Sequence, residues 1–297
     1  MNTFSTSVGV ATTGYKGFLF LQNLSFRPEF VITYNNREAR GDEHYLKILN
    51  WCKENSIDII TSRSPQMMAK MISQVDKLFV IGWQYLLHDH FDKLVVFHDS
   101  YLPERRGFAP TVGALLDKEG YVGASCFQPL EMKNADPDFG LIYYRRTTLI
   151  THPLSIQDAL KKVVELYNNM ADDILTKNPI PHEIDYLPSS YSLWRAANDM
   201  RICWKKNAED IHHQVLALGF PYDGATTIYD EKLIYLNEVI PLLDKNFVNR
   251  EDHIGKIWKL EEGCPHVVCG SGVIKILNAS NQDGSTVQFN KLRRQFI

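Results

Sequence analysis

The chain has 297 residues, of which 44% are hydrophobic and 23% are charged, as is usual for a globular protein of one or two domains. Its formal net charge of −3 gives no overall attraction to a polyanion, which weighs against a nucleic-acid partner, tRNA included. No apolar run approaches the ~20 residues of a membrane helix, and the first residues lack the pattern of a signal peptide. We therefore expect a soluble, cytoplasmic protein with no membrane partner.

Short apolar runs alternate with helical patterns in the first half of the chain. Helices are predicted at 18–24, 43–55 and 65–75, and the turn before the first of them, G-x-x-G, is too short for a dinucleotide-binding fingerprint. The predicted strands lie at residues 7–12, 29–33, 57–60, 78–82, 94–97, 120–128 and 141–148. Strands that alternate with helices predict an α/β fold with a Rossmann-like, mostly parallel sheet.

The clearest helical pattern covers residues 155–175, and Ser155 with Asp158 has the spacing of a capping box at its start. Later in the chain, a helix at 208–218 is followed by short strands and polar turns, which indicate a small β-barrel. Prolines between these two parts predict a linker. We therefore expect a domain at residues 1–178, a linker at 179–199 and a second domain at 200–297.

Five cysteines occur without C-x-x-C spacing, which is typical of free thiols in a reducing compartment. Cys264 and Cys269 flank His266, but the spacing is poor for zinc and no second ligand cluster follows. We predict no metal site.

The stretch Phe97–Pro110, FHDSYLPERRGFAP, contains most of the candidate site residues. His98 follows a predicted buried strand, and it therefore lies at the edge where α/β sheets bind their ligands. Taken alone, a histidine in this position is more often a hydrogen-bonded structural residue than a catalyst. The pair Arg105–Arg106, also taken alone, is more often a solvated charge on a loop.

The motif H-x-S-x-L-P-x-x-R-G-x-x-P at 98–110, with D-x-G-x-I at 138–142, resembles the 10-formyltetrahydrofolate-dependent formyltransferases. The resemblance covers residues 8–150. It is much looser over 200–296, which are vaguely similar to the C-terminal domains of methionyl-tRNA formyltransferase and some sugar N-formyltransferases. It implies a formyltransferase domain followed by an OB-like domain.

The resemblance also implies roles for single residues. His98 would be the general base or a contact of the oxyanion, and Asp138 would be its partner and a contact of the folate. The loop with Trp83, Tyr85 and Leu87 would lie against the pterin ring, mostly through backbone groups. Packing of these side chains in the core is the alternative for that loop.

One position departs from the family pattern. The family usually reads N-x-H, with an asparagine that helps to hold the formyl oxygen, and here Val96 precedes His98 by two residues. Three outcomes are open: a backbone N–H or a water replaces the donor, the enzyme is slow, or the protein is not a transferase. We favour replacement because the rest of the motif is intact. Asp136 competes with Asp138 for the catalytic position, but it precedes a proline and is interpreted as a turn residue.

Formyl transfer to an amine requires a group that takes the amine proton and donors for the developing oxyanion. We predict an N-formyltransferase with 10-formyltetrahydrofolate as cosubstrate and a nucleotide-linked amino sugar as acceptor. Ser100, Arg105 and Arg106 are its candidate substrate-binding residues. Both arginines are candidates for binding the diphosphate, and a structural role within the motif is the alternative for Arg106. Methionyl-tRNA formyltransferase is the first alternative, although its basic stripe is missing here. A folate-binding protein without activity is the second, and a homodimer is left open.

Overall fold

The computed structural model describes residues 6–35, 43–62, 64–83, 87, 89–130 and 136–297. By its contacts the chain divides into two compact units. The first unit consists of Met1–Thr111, Tyr121–Leu149 and Ala159–Leu193, and the second of Val112–Gly120, Ile150–Asp158 and Trp194–Ile297. None of the helices in the described ranges is both long and apolar enough to cross a membrane.

The first unit is built on a sheet to which the described residues contribute seven strands. These are β1 (Val8–Thr12), β2 (Phe30–Thr33), β3 (Asp58–Thr61), β4 (Lys77–Ile81), β5 (Leu94–His98), β7 (Tyr121–Pro129) and β8 (Gly140–Leu149). Their order is β3-β2-β1-β4-β5-β7-β8, and the first five strands run parallel to one another. Strand β7 pairs antiparallel with β5, and β8 pairs antiparallel with β7. The predicted mostly parallel sheet is confirmed.

A separate pair of two-residue strands runs parallel beside this sheet, β6 (Arg106–Gly107) with β9 (Tyr191–Ser192). Neither strand was expected, because a strand of two residues has no hydrophobic period to read. The proline-rich stretch predicted as a linker also bonds to the first unit, since His182 and Ile142 exchange two backbone hydrogen bonds of 2.8 and 3.0 Å.

The described helices include α1 (Gly14–Gln22), α2 (Glu43–Glu54), α3 (Pro65–Ser73), α4 (Pro110–Leu116) and α5 (Ile156–Lys177). Helix α1 begins earlier than predicted because Gly14, with a φ of +66°, turns the chain immediately after β1. The apolar stripe of α5 is buried, as its period predicts. Strands β1 and β2 are buried along their whole length, which explains why they read as continuous apolar runs.

The second unit contains a five-stranded antiparallel sheet among its described residues. Its elements are α6 (Ala208–Leu218), β10 (Ala225–Tyr229), β11 (Lys232–Leu242), β12 (Ile257–Glu261), β13 (Cys264–Val268) and β14 (Val273–Asn281), and the strand order is β10-β11-β14-β13-β12. This small antiparallel sheet agrees with the predicted short strands. Strand β12 was missed because its exposed positions carry Trp258 and Lys259, which obscure the alternation.

The start of α5 depends on a side-chain cap. The hydroxyl of Ser155 accepts a hydrogen bond of 3.1 Å from the main-chain N–H of Asp158. We expect Ser155→Ala to lower the free energy of unfolding by about 1 kcal/mol, because one N–H of the first turn loses its acceptor. Urea denaturation measures this loss, and Ser155→Thr, which keeps an acceptor oxygen, should remain close to the wild type. Equal stability of Ser155→Ala and the wild type would contradict the cap.

Candidate active site

Strand β5 presents consecutive side chains to opposite faces of the sheet. Phe97 packs against Phe20, Phe79 and Tyr167, with ring centroids 5.7, 5.4 and 5.3 Å away. Because side chains alternate along a strand, burial of Phe97 on the side of α1 and α5 turns His98 to the other face. There the side chain of His98 is 6% exposed.

The imidazole of His98 lies between two acceptor oxygens. Its Nε2 atom is 3.1 Å from the main-chain carbonyl oxygen of Arg105, and its Nδ1 atom is 3.5 Å from Oδ2 of Asp138. A neutral imidazole has one N–H and donates to one of these oxygens, whereas a protonated ring donates to both. The surroundings therefore suit a ring that takes up a proton, with a carboxylate facing the positive charge that forms.

Asp138 is held in place by the loop that follows His98. Its Oδ2 atom accepts a hydrogen bond of 2.7 Å from the main-chain N–H of Gly107. The φ of Asp138 is +53°, in the left-handed region where aspartate is enriched among non-glycine residues. The structure thus brings together the two residues predicted to cooperate, and their catalytic roles remain predictions.

Gly107 allows this arrangement because β6 runs very close to β9. Its φ is +100°, and a Cβ atom at this position would lie 2.5 Å from the carbonyl oxygen of Ser192. A side chain cannot be placed here without moving backbone. The close approach sets the N–H of Gly107 opposite Asp138.

Arg106 is buried, with 2% of its side chain exposed, so it is not a solvated loop charge. Its Nε donates to the carbonyl oxygen of Pro137 at 2.7 Å, and one Nη donates to the hydroxyl of Tyr191 at 3.1 Å. The guanidinium carbon lies 5.8, 5.2 and 5.3 Å from the ring centroids of Phe139, Tyr186 and Tyr191. Cation–π contacts of this kind stabilise a charge away from water. Arg106 therefore ties β6 to the segment that carries Asp138.

Ser100 and Arg105, the other candidate substrate-binding residues, both shape the loop after β5. The buried hydroxyl of Ser100 donates to the carbonyl oxygen of Glu104 at 2.6 Å. The main-chain N–H of Arg105 donates to Oγ of Ser190 at 2.8 Å, and the φ of Arg105 is +50°. Their contact with a substrate remains a prediction.

The loop predicted to lie against the pterin ring is described at Trp83 and Leu87, and Tyr85 lies outside the described residues. Trp83 stacks on Tyr34 with ring centroids 6.0 Å apart. Trp83 and Leu87 both pack on the apolar core of the first unit, as the alternative interpretation expected. Backbone contact of this loop with folate remains a prediction.

Val96 lies on the same strand face as His98 and packs between two apolar clusters. One contains Leu102 and Phe127, and the other contains Val80 and Leu94. A valine is well suited to this environment, and it offers no hydrogen-bond donor. A donor for the oxyanion would therefore have to come from another group.

An ion pair next to His98 has little signature in the sequence. The Nζ atom of Lys16 is 2.6 Å from Oδ1 of Asp99, and the hydroxyl of Thr111 donates to Oδ2 at 2.9 Å. Burial raises the pKa of Asp99, but Lys16, His98 and the hydrogen bonds outweigh it and lower the pKa to about 2. A carboxylate directly after a buried strand was the available signal, and its partner lies far away along the chain.

Metal ligands do not cluster in the described part of the chain, where no three histidine, cysteine, aspartate or glutamate side chains could hold an ion. Cys264 and Cys269 are free thiols.

A comparison with protein families finds a match in the C-terminal part of the chain. Residues 196–296 match the family model described as formyl transferase, C-terminal domain. This part of the chain is therefore similar to the C-terminal domain of formyltransferases. The match covers the part of the sequence whose resemblance to the family was weakest.

Solved structures share the fold of this chain at low sequence identity. HypX from Aquifex aeolicus, crystallised with tetrahydrofolic acid, is 12% identical over 96% of this chain with a TM-score of 0.66, but the chain spans 46% of HypX. An N-formyltransferase from Helicobacter canadensis, in complex with folinic acid and dTDP-3-aminofucose, is 17% identical over 91% of this chain and 99% of its own, with a TM-score of 0.56. Methionyl-tRNA formyltransferase from Clostridium thermocellum is 17% identical over 79% of this chain and 93% of its own, with a TM-score of 0.58.

The close approach at Gly107 leads to a stability prediction. We expect Gly107→Ala to lower the free energy of unfolding by about 1–3 kcal/mol, because the new methyl group meets the carbonyl of Ser192 and φ is positive. Gly14→Ala is the matched control: φ is +66° there but a Cβ would meet nothing within 4 Å, so it reports the cost of φ alone. Urea denaturation of both variants separates the two causes, and equal losses would argue against the contact with Ser192.

The buried carboxylate of Asp99 predicts a pH dependence of stability. Its folded-state pKa of about 2 lies below the ordinary value of 3.8, so its contribution is fully present above pH 3.8 and is lost as the pH falls through about 2. We expect the wild type to lose about 2 kcal/mol more than Asp99→Asn between about pH 5 and about pH 2. Urea denaturation at each pH measures this difference, and parallel curves for the two proteins would contradict it.

Proposed function

We propose that this chain is an enzyme that transfers a formyl group from 10-formyltetrahydrofolate to the amine of a nucleotide-linked amino sugar. The observation that carries the proposal is the pairing of His98 with Asp138 at the carboxyl end of β5, in a chain with a formyltransferase C-terminal domain. Ligands of open α/β sheets bind at this edge.

The reaction requires one group near the formyl carbon that accepts a proton from the attacking amine. The neutral amine of the acceptor attacks the formyl carbon, and a new C–N bond gives a tetrahedral intermediate with a negatively charged oxygen. His98 takes a proton from the attacking amine, and Asp138 faces the imidazolium that results. The bond from the carbon to the folate nitrogen then breaks, that nitrogen receives the proton, and the products are the N-formylated acceptor and tetrahydrofolate.

Substrate entry requires a change at Nε2 of His98. This atom now faces the carbonyl oxygen of Arg105 at 3.1 Å, so a bound amine has to replace that contact. Arg105 is the residue whose backbone conformation is left-handed at this point of the loop. The loop is therefore part of the proposed binding site, together with the side chain of Arg105, which is half-buried.

Folate as the cosubstrate is supported by the ligands of the structural relatives. HypX from Aquifex aeolicus was crystallised with tetrahydrofolic acid, and the Helicobacter canadensis enzyme with folinic acid. In this chain we assign the folate to the loop with Trp83, Tyr85 and Leu87 and to Asp138. The two described side chains of that loop pack on the core, which leaves its backbone for the pterin ring.

An amino sugar as the acceptor is supported by a ligand of one structural relative. The N-formyltransferase from Helicobacter canadensis, which aligns over 91% of this chain, was solved in complex with dTDP-3-aminofucose. The net charge of −3 also favours a small ligand over a long polyanion. Of the two candidate arginines, Arg105 suits the diphosphate better, because the guanidinium of Arg106 is enclosed by aromatic rings.

Release of tetrahydrofolate tests the proposal. The purified protein is mixed with 10-formyltetrahydrofolate and with UDP- or dTDP-linked amino sugars or methionyl-tRNA. We expect turnover with a nucleotide sugar, and we expect His98→Ala to lower kcat/KM by about 10²–10⁴-fold because the proton acceptor is removed. Asp138→Asn should lower kcat/KM as well, since the imidazolium loses its carboxylate.

A matched control separates loss of catalysis from a general effect of histidine removal. His182 belongs to the same unit and its side chain is exposed, so His182→Ala should retain wild-type turnover. Turnover with methionyl-tRNA alone would transfer the assignment to the tRNA enzyme. Folate binding without any turnover would favour a binding protein and contradict the proposal.

A further inference from the structure

The pair Lys16–Asp99 is a buried charge arrangement that the proposed reaction does not yet use. Asp99 is 5% exposed and Lys16 is 20% exposed, and their nearest charged atoms are 2.6 Å apart. Thr111, at the start of α4, donates to the second carboxylate oxygen at 2.9 Å. The carboxylate is thus held from α1 and from α4 at once.

A contribution to folding stability does not by itself explain why the chain has this ion pair. A buried ion pair loses its hydration, and replacing it with apolar side chains is often neutral or stabilising. Lys16 also lies in the first turn of α1, where the helix dipole disfavours a cation. A costly pair with a strongly shifted carboxylate beside a candidate catalytic residue is a pattern typical of functional sites.

The position of Asp99 relative to His98 follows from the strand. The two residues are consecutive, so their α-carbons are about 3.8 Å apart. Phe97, in β5, packs against Phe20 of α1, and Asp99, the first residue after β5, contacts Lys16 of the same helix. His98 contacts Asp138. The imidazole therefore interacts with two carboxylates, the one of Asp138 that it contacts and the one of Asp99 on the side of α1.

Solvent screens the interaction between Asp99 and His98 only weakly. Asp99 and His98 are both buried, and charges in the interior are screened much less than charges at the surface. Asp138 and the main-chain carbonyl of Arg105 face the ring of His98, and Asp99 with its partner Lys16 interacts with the ring as well. The charged and titratable groups that interact with Tyr186, near Asp138, are Asp138, Arg106 and Arg145.

We propose that Asp99 and Lys16 are positioning residues for His98. The carboxylate of Asp99 stabilises the protonated ring of His98. Lys16 offsets part of the negative charge of that carboxylate, so that the ring still releases the proton. A role of the pair in catalysis rests on the proposed function. The coupling between the charges of the pair and the protonation of His98 can be measured without any activity.

The experiment compares the wild type, Asp99→Asn and the double variant Lys16→Met/Asp99→Asn. Asp99→Asn leaves Lys16 uncompensated, so protonation of His98 becomes harder, and an NMR titration of its ring should move to lower pH than in the wild type. The double variant removes both charges, so the titration should return toward the wild type. Where formyl transfer is observed, the acidic limb of the profile of kcat/KM against pH should shift in the same direction as the titration of the His98 ring.

Controls exclude a change that is merely structural. Arg146 and Asp173 form an ion pair in the same unit, and Asp173→Asn should leave the titration of His98 in place. Lys16→Arg keeps the positive charge and should also titrate like the wild type. If Asp99→Asn does not fold, Asp99→Ser removes the same charge with a smaller side chain.

Two results would overturn the proposal. One is a titration of His98 that is the same in Asp99→Asn as in the wild type. The other is a double variant that moves as far as Asp99→Asn, which would indicate a distorted strand and no charge coupling. Absence of turnover in the wild type would contradict the proposed function instead, and the NMR titration would still decide whether the pair acts on His98.

Discussion

Burial of Phe97 among aromatic rings is the contact on which the candidate site depends. The ring is enclosed by Phe20, Phe79 and Tyr167, so β5 cannot rotate or shift by one residue without exposing it. A strand of fixed register has fixed faces. His98 must then face the loop and Asp138, and Asp99 must face α1. The position of the candidate histidine is therefore fixed by the packing of its neighbour in the strand.

The rest of the site is assembled by backbone of unusual conformation. Arg105, Gly107 and Asp138 all have positive φ values, and they lie on the two segments that meet over His98. The short pair β6–β9 holds one segment, and the N–H of Gly107 holds the carboxylate of the other. Such conformations persist only where the surrounding contacts determine them. The geometry around the imidazole is therefore a property of several distant parts of the chain.

Two buried charges beside the site are stabilised in different ways. The guanidinium of Arg106 lies among aromatic faces, bonds to a carbonyl and a hydroxyl, and has a carboxylate partner, Asp136, only at 3.5 Å. The carboxylate of Asp99 has a close ammonium partner and a hydroxyl donor. The first arrangement suits a structural tie, because its contacts join β6 to the segment that carries Asp138. The second creates a local field, and that field lies next to the histidine.

The sequence by itself determined the alternating strands and helices of the first unit and the capped start of α5, and it singled out His98 and Asp138 as a candidate pair, because each has a local period, spacing or motif. Only the tertiary structure decided that Arg106 is enclosed, that Trp83 packs on the core and that Lys16 reaches Asp99. The tertiary structure was also needed to find strands β6 and β12. Strand β6 is too short to show a pattern, and the exposed Trp258 and Lys259 obscure the pattern of β12. The physical reason is the same throughout. Burial and charge pairing between residues far apart in sequence depend on how the elements pack, and no local pattern records that packing.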